Sequence, residues 1–296
     1  MKLHGSMVAL VTPFHNGKVD IKSLEKLVEY HFQNGTKAIV VCGTTGESAT
    51  LQFDEHMMVV ETVVKASAGR IPVIAGTGSN STEEALMLTH HAKKVKADAA
   101  LIITPYYNKP TQQGLYLHYS KIAKNVSIPI ILYNVPGRTS VNLLPDTVAR
   151  LSKIKNIFAI KEASGNLDQV TQIAALCDMQ IISGDDALTL PILSIGGVGV
   201  ISVLANIIPS KLQELIDAWD RGQIALAQQL NKELYPLSKV LFCQTNPIPV
   251  KAAMAMMGLI HNELRLPLSC LEDVYLPQLK KVLINSGLIE EVSNNN

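Results

Sequence analysis

Lys161 closes the apolar run Ile157-Phe158-Ala159-Ile160 and is followed by Glu162-Ala163-Ser164-Gly165. A near-continuous apolar run reads as a strand buried on both faces, as in a parallel sheet. At the end of such a strand the lysine stem sits among apolar neighbours. Poor solvation of its ammonium favours the neutral amine that attacks a carbonyl. The plainer readings are a lysine that snorkels to solvent or pairs with a carboxylate such as Glu162. Tyr133 ends a second apolar run, and a phenol beside an imine-forming lysine can pass protons during carbinolamine formation. A buried phenol bonded to a backbone carbonyl is its alternative. Gly43-Thr44-Thr45-Gly46 offers successive backbone N–H groups and two hydroxyls, which suit a small carboxylate, or it is an ordinary turn. Arg138, in Asn134-Val135-Pro136-Gly137-Arg138-Thr139, is either a bidentate carboxylate clamp or half of a surface salt bridge.

Such side chains cooperate only if their strands end on one rim. Short apolar runs at residues 7–11, 38–41, 72–75, 99–104, 129–134, 157–161, 180–183 and 198–202 predict eight strands. Amphipathic stretches lie between them, with start signals at Asp20, Asp54, Ser81-Thr82-Glu83-Glu84 and Thr111, and stops at Gly35 and Gly69. Eight strand–helix units over about 220 residues predict a (β/α)8 TIM barrel with its active face just after the strands. A doubly wound open sheet is the competitor, and it lacks a dinucleotide fingerprint here. That face carries Thr12-Pro13, Gly43 to Glu47, Gly76-Thr77-Gly78, Pro105-Tyr106-Tyr107, Tyr133-Asn134 with Arg138, Lys161-Glu162, Gly184-Asp185 and Ile201-Ser202. Gly196-Gly197-Val198-Gly199 precedes a strand, so it reads as a turn on the opposite face and not as a phosphate loop. Beyond about residue 220 the strand signal stops. Residues 1–223 are therefore assigned to a barrel holding the active site, and 224–296 to a C-terminal helical region with helices near 224–239, 249–259 and 271–286. The polar end at 293–296 is expected to fray.

Bulk properties narrow the function. The 296-residue chain is 47% hydrophobic and 17% charged with a formal charge of +1, which gives no electrostatic reason for nucleic-acid or anionic-membrane binding. No stretch approaches the roughly 18 apolar residues of a membrane span. Cys42, Cys177, Cys243 and Cys270 suggest neither a disulfide framework nor a zinc site, and a reduced, cytoplasmic protein is expected. The eight histidines form no H-x-H or H-E-x-x-H, so organic nucleophilic catalysis is favoured over metal catalysis.

Four motifs then carry a family resemblance. Cys42-Gly43-Thr44-Thr45-Gly46-Glu47-Ser48, Thr104-Pro105-Tyr106-Tyr107-Asn108, Tyr133-Asn134-Val135-Pro136-Gly137-Arg138-Thr139 and Ile160-Lys161-Glu162-Ala163-Ser164-Gly165-Asn166 resemble the pyruvate-dependent, Schiff-base class I aldolases. The likeness extends through residues 196–203 and Asn246-Pro247-Ile248-Pro249-Val250-Lys251, so it covers nearly the whole chain.

The resemblance implies a barrel with a helical extension, assembled as a homotetramer of tight dimers. It implies condensation of pyruvate with aspartate 4-semialdehyde on the route to diaminopimelate and lysine, with no metal or organic cofactor. By this resemblance Lys161 forms the imine with pyruvate. Tyr133, Thr44 and Tyr107 relay protons, with Tyr107 reaching in from a neighbouring subunit. Thr45 joins Thr44 in holding the pyruvate carboxylate, Arg138 holds the carboxylate of the aldehyde, and Gly184 and Ile201 line the pocket. A lysine feedback site matches at Ser48, Ala49, His56, Asn80, Glu84 and Tyr106. It departs where sensitive members carry a histidine and this chain has Phe53, whose ring lacks the imidazole's hydrogen bonds. Sister aldolases acting on sugar aldehydes, such as N-acetylneuraminate lyases or keto-deoxy sugar acid aldolases, generally lack an arginine matching Arg138. A non-catalytic keto-acid-binding barrel would need no imine-forming lysine.

Overall fold

Eight parallel strands close into a barrel in chain order: β1 (Gly5–Ala9), β2 (Ala38–Val41), β3 (Val73–Gly76), β4 (Ala99–Ile103), β5 (Ile130–Asn134), β6 (Ile157–Glu162), β7 (Gln180–Ser183) and β8 (Gly199–Ser202). The computed structural model describes residues 2–291, so the polar end at 293–296 lies outside the described residues. The helices following the strands are α1 (Ile21–Gln33), α2 (Phe53–Ser67), α3 (Thr82–Lys94), α4 (Gln112–Asn125), α5 (Pro145–Leu151), α6 (Leu167–Leu176), α7 (Thr189–Ser194) and α8 (Pro209–Asp220). This is the expected (β/α)8 barrel. Among the described residues no helix is long and apolar enough to cross a membrane.

Strand alternation divides the apolar residues into two cores. Met7, Val40, Leu101, Ile131, Tyr133, Ala159 and Ile182 fill the barrel interior. Their neighbours Val8, Ile39, Val41, Ile102, Leu132 and Ile160 face outward, against the helices. The register pairs Tyr133 with Lys161 and Asn134 with Glu162 at the ends of β5 and β6. Lys161 lies two residues beyond inward-facing Ala159, and Tyr133 two beyond Ile131. Both therefore point into the barrel, while Asn134 and Glu162 turn out of it.

Asp20, Ser81 and Thr111 cap α1, α3 and α4 by accepting from the backbone N–H groups of Ser23, Glu84 and Gly114. The start expected at Asp54 falls one residue inside α2, because Gln52 is the cap and exchanges a capping box with Glu55. The first strand likewise begins at Gly5, ahead of the apolar run, because small Gly5 and Ser6 fit beside Gly199 and Val200.

The C-terminal residues add α9 (Ile224–Val240), α10 (Ile248–Met256) and α11 (Leu276–Asn285). Leu230, Leu234 and Leu237 of α9 pack into the core that also holds the outward side chains of the strands. Alpha-helix α10 begins beside the mouth of the barrel, where its first turn meets the loop after β2.

Candidate active site

Lys161 is only 6% exposed although it ends a strand at the barrel mouth. Its Nζ lies 4.3 Å from the centre of the Tyr133 ring. Among the described residues it forms no salt bridge; the alternative pairing with Glu162 does not occur. Glu162 is turned outward and accepts from Ser164 N at 2.7 Å and Asn134 Nδ2 at 3.1 Å, with Gln169 Nε2 further out at 3.4 Å. The lysine stem passes Gly184. A Cβ added there would lie 3.0 Å from Lys161 Cε and 2.7 Å from Ala163 Cβ, so the glycine makes room for the stem. Ile201 of β8 is buried on the interior face of the barrel. Next to it, buried Asp186 ties the loops after β7 and β8 together by accepting from Val203 N and Leu204 N at 3.1 and 3.0 Å. Burial pushes the Asp186 carboxyl up to about 6.

The loop after β2 forms a tight turn. Gly46 N donates to Gly43 O and Glu47 N to Thr44 O, each at 3.1 Å, while Thr12 Oγ1 donates to Gly46 O at 2.7 Å. Of its successive N–H groups, those of Gly46 and Glu47 are therefore used inside the turn. Thr44 lines a cleft of about 480 Å³, within the range usual for small-molecule sites. Thr45 is buried beneath it and accepts from Asn246 Nδ2 at 3.0 Å. The loop can approach β3 so closely because Gly76 has no side chain, and a Cβ there would meet Cys42 O at 2.2 Å.

Arg138 sits on a single helical turn, Pro136–Thr139, and lines the same cleft. It makes no salt bridge among the described residues, and its Nη2 donates to Asn246 O at 3.1 Å. Tyr107 is placed differently. It is 90% exposed, has a left-handed backbone with φ of 74°, and does not line the cleft of its own chain. Ser48, Ala49, His56, Glu84, Tyr106 and half-exposed Phe53 line the outer part of the cleft. His56 Nε2 donates to Gly76 O at 2.8 Å, and burial lowers the pKa of its ring below the usual histidine value. Asn80 is not in the lining; its carbonyl accepts from Asn108 Nδ2 at 2.9 Å.

Three further side chains support the site without having been singled out by local sequence reasoning. Asn246 bridges Thr45 and Arg138, and its Oδ1 is buried without a partner among the described residues. Fully buried Lys251 pairs with buried Glu47 at 2.5 Å. Arg265 donates its backbone N–H to Glu47 Oε2 at 3.1 Å and grips Glu55 with both guanidinium nitrogens. The available signal for the pair was a lone lysine within the apolar helix Ile-Pro-Val-Lys-Ala-Ala-Met, which cannot be buried unpaired at tolerable cost.

Chemically, the cleft brings together a phenol, a hydroxyl-bearing turn and a guanidinium. The amine of Lys161, unpaired among the described residues, is not in the cleft's lining and meets it through the Tyr133 ring. A dihydrodipicolinate synthetase family model matches residues 2–286. The 4-hydroxy-tetrahydrodipicolinate synthase of Thermodesulfovibrio yellowstonii is 56% identical across 97% of this chain and 99% of its own length. The crystal structure of dihydrodipicolinate synthase from Aquifex aeolicus is 49% identical, with a TM-score of 0.96 over 98% of this chain and all of that one. The enzyme from Acinetobacter baumannii, solved in complex with pyruvate, is 48% identical, with a TM-score of 0.95 over 97% of this chain and 100% of that one. On its sequence, fold and cleft alike, the chain belongs to the dihydrodipicolinate synthetase family.

Proposed function

We propose that this chain catalyses the reaction for which its curated relatives are named, joining pyruvate to L-aspartate 4-semialdehyde to give 4-hydroxy-tetrahydrodipicolinate. The observation that carries this reading is Lys161: a buried amine with no carboxylate partner among the described residues, against the ring of Tyr133 at the mouth of the barrel. The amine adds to C2 of pyruvate, and the carbinolamine loses water to form an imine. The protonated imine withdraws electrons from C3, so a C3 proton leaves and an enamine forms. Its C3 attacks the aldehyde carbon, whose oxygen takes up a proton. The amino group of the aldehyde substrate then displaces Lys161 from C2, closing the ring and freeing the enzyme. One water is released overall. The imine supplies the electron sink, so the reading calls for no metal or organic cofactor.

In this scheme Tyr133, Thr44 and Tyr107 move protons, Thr45 joins Thr44 on the pyruvate carboxylate, and Arg138 holds the carboxylate of the aldehyde. Gly184 and Ile201 shape the pocket. Tyr107 acts in a neighbouring copy, which fits a homotetramer built from dimers; its exposure away from its own cleft supports this. Lysine is the feedback ligand that the outer cleft would take, through Glu84 and its neighbours, with Phe53 offering no hydrogen bond. A cytoplasmic setting is supported by four cysteines that form no disulfide. Incubation with pyruvate and borohydride, followed by peptide mass analysis, should add the reduced adduct at Lys161 only. An aldehyde screen should then favour aspartate semialdehyde over sugar aldehydes, and lysine added to the same assay tests whether the outer cleft takes it with Phe53 in place. Labelling elsewhere, or a preferred polyol aldehyde, would refute the assignment.

A further inference from the structure

We infer that the buried Glu47–Lys251 ion pair is a positioning device for the threonines that hold the pyruvate carboxylate. Through it, α10 grips the loop after β2 at two points. This rests on the role given above to Thr44 and Thr45.

The geometry is specific. Asn246, just before α10, donates to the Thr45 hydroxyl at 3.0 Å. Lys251, inside α10, reaches Glu47 Oε1 at 2.5 Å. The two grips thus hold residues 45 and 47 of one turn. Glu47 has a left-handed backbone with φ of 54°, and its N–H holds the carbonyl of Thr44, so its conformation helps set where Thr44 stands. Its other carboxylate oxygen accepts from Arg265 N. Beneath the pair lies the Phe14 ring, 4.2 Å from Lys251 Nζ and 4.5 Å from the Arg265 guanidinium.

Stability alone is a weak reason for this arrangement. Desolvating two charges offsets most of their attraction, and well-packed apolar side chains of similar volume often stabilise as much or more. A buried pair does fix the distance and direction between two segments, and 204 residues separate these in sequence. The other residues of α10 are apolar, and all but Ala255 and Met256 are buried, so Lys251 brings the helix its one charge.

Kinetics on two variants test the role, with thermal melting to establish folding. The double variant Glu47→Gln, Lys251→Met removes both charges together and leaves neither unpaired. Its KM for pyruvate should rise roughly tenfold or more as the turn loosens, while KM for aspartate semialdehyde stays within about twofold. Lys251→Arg keeps the pair and should hold the pyruvate KM within about threefold. A folded double variant with an unchanged pyruvate KM, or with both KM values raised alike, overturns the proposal. Hydrogen exchange on the unmodified protein gives a reading independent of any substitution. Saturating pyruvate should slow exchange in residues 43–47 and 246–251 together, and slowing confined to the first segment overturns the proposal. Borohydride trapping of the unmodified protein separates the two levels. Its absence sinks the pyruvate reading, and the proposal with it, whereas trapping alongside an unchanged KM sinks only the positioning role.

Discussion

Two lysines are buried within the same rim, each against an aromatic ring, and only one of them faces a carboxylate. Lys251 is fully enclosed and faces the Glu47 carboxylate. Burial pulls its pKa below the ordinary lysine value while Glu47 opposes that pull. Lys161 is nearly as buried and lies against Tyr133 as Lys251 lies against Phe14, but among the described residues only Lys251 also meets an anion. Enclosure alone therefore does not make a lysine a nucleophile. What differs is the carboxylate: it commits the Lys251 ammonium to a fixed structural pair, whereas an aromatic ring without an anion leaves the Lys161 amine free to be consumed and regenerated.

Replacing each lysine by methionine should separate the two kinds of burial most sharply. Lys161→Met should lower activity by roughly 10⁴-fold or more, because the covalent step has no other amine in place. Its melting temperature should hardly change, since no charge is left unpaired. Lys251→Met should do the reverse to stability, leaving Glu47 buried without its cation at a cost of about 3–5 kcal/mol. Chemical denaturation and borohydride trapping on both variants measure the contrast. Equal destabilisation of the two would break it.

A smaller effect should follow from crowding the nucleophile without removing it. In Gly184→Ala the new methyl would meet Lys161 Cε and Ala163 Cβ. Displacing the amine by a fraction of an ångström should lower kcat/KM on the order of 10–100-fold. Single-turnover trapping would show slower imine formation in a folded protein, and an unchanged rate would mean that Lys161 tolerates the shift.

The last prediction concerns acid, where neither lysine should matter. Burial pushes the ring of His118 down from 6.5 to about 4 and that of His31 to about 3. Between about pH 6.5 and 4 the unfolded chain then binds protons at His118 that the folded chain refuses. The stability present above pH 6.5 is lost as the pH falls through that window, by up to about 3 kcal/mol from His118. His118→Gln should make this part of the profile shallower, leaving the share of His31, and the double variant Glu47→Gln, Lys251→Met should keep it, as melting curves across pH would record. A double-variant profile lacking that slope would assign the acid response to the ion pair instead.

Much of this was legible in the sequence. Eight apolar runs placed the strands within about two residues, because a parallel barrel buries both faces of each strand and writes that into consecutive residues. Lys161 stood out for the same reason, as the charge that closes one of those runs. Gln52 was harder to read, since glutamine is a weak cap and Asp54 looked like a better one. The contacts of Asn246 and Lys251 were not legible from local pattern, because Thr45–Asn246 and Glu47–Lys251 are each separated by about 200 residues and leave no periodic trace. Tyr107 is a third case. A single chain holds no information on what a residue so exposed meets in an assembly.

The parity of β5 and β6 has an evolutionary consequence. Because side chains alternate beyond the register shift at Phe158, deleting one residue between Ala159 and Lys161 would turn Lys161 outward and bring Glu162 into its place, putting a carboxylate in the mouth and an ammonium among outward-facing apolar side chains. Length changes in this lineage should therefore accumulate in the loops, which can lengthen freely, and be purged from the strands even where bulk hydrophobicity is kept. The barrel acts in this way as a reading frame for its own chemistry, and a one-residue slip is its frameshift.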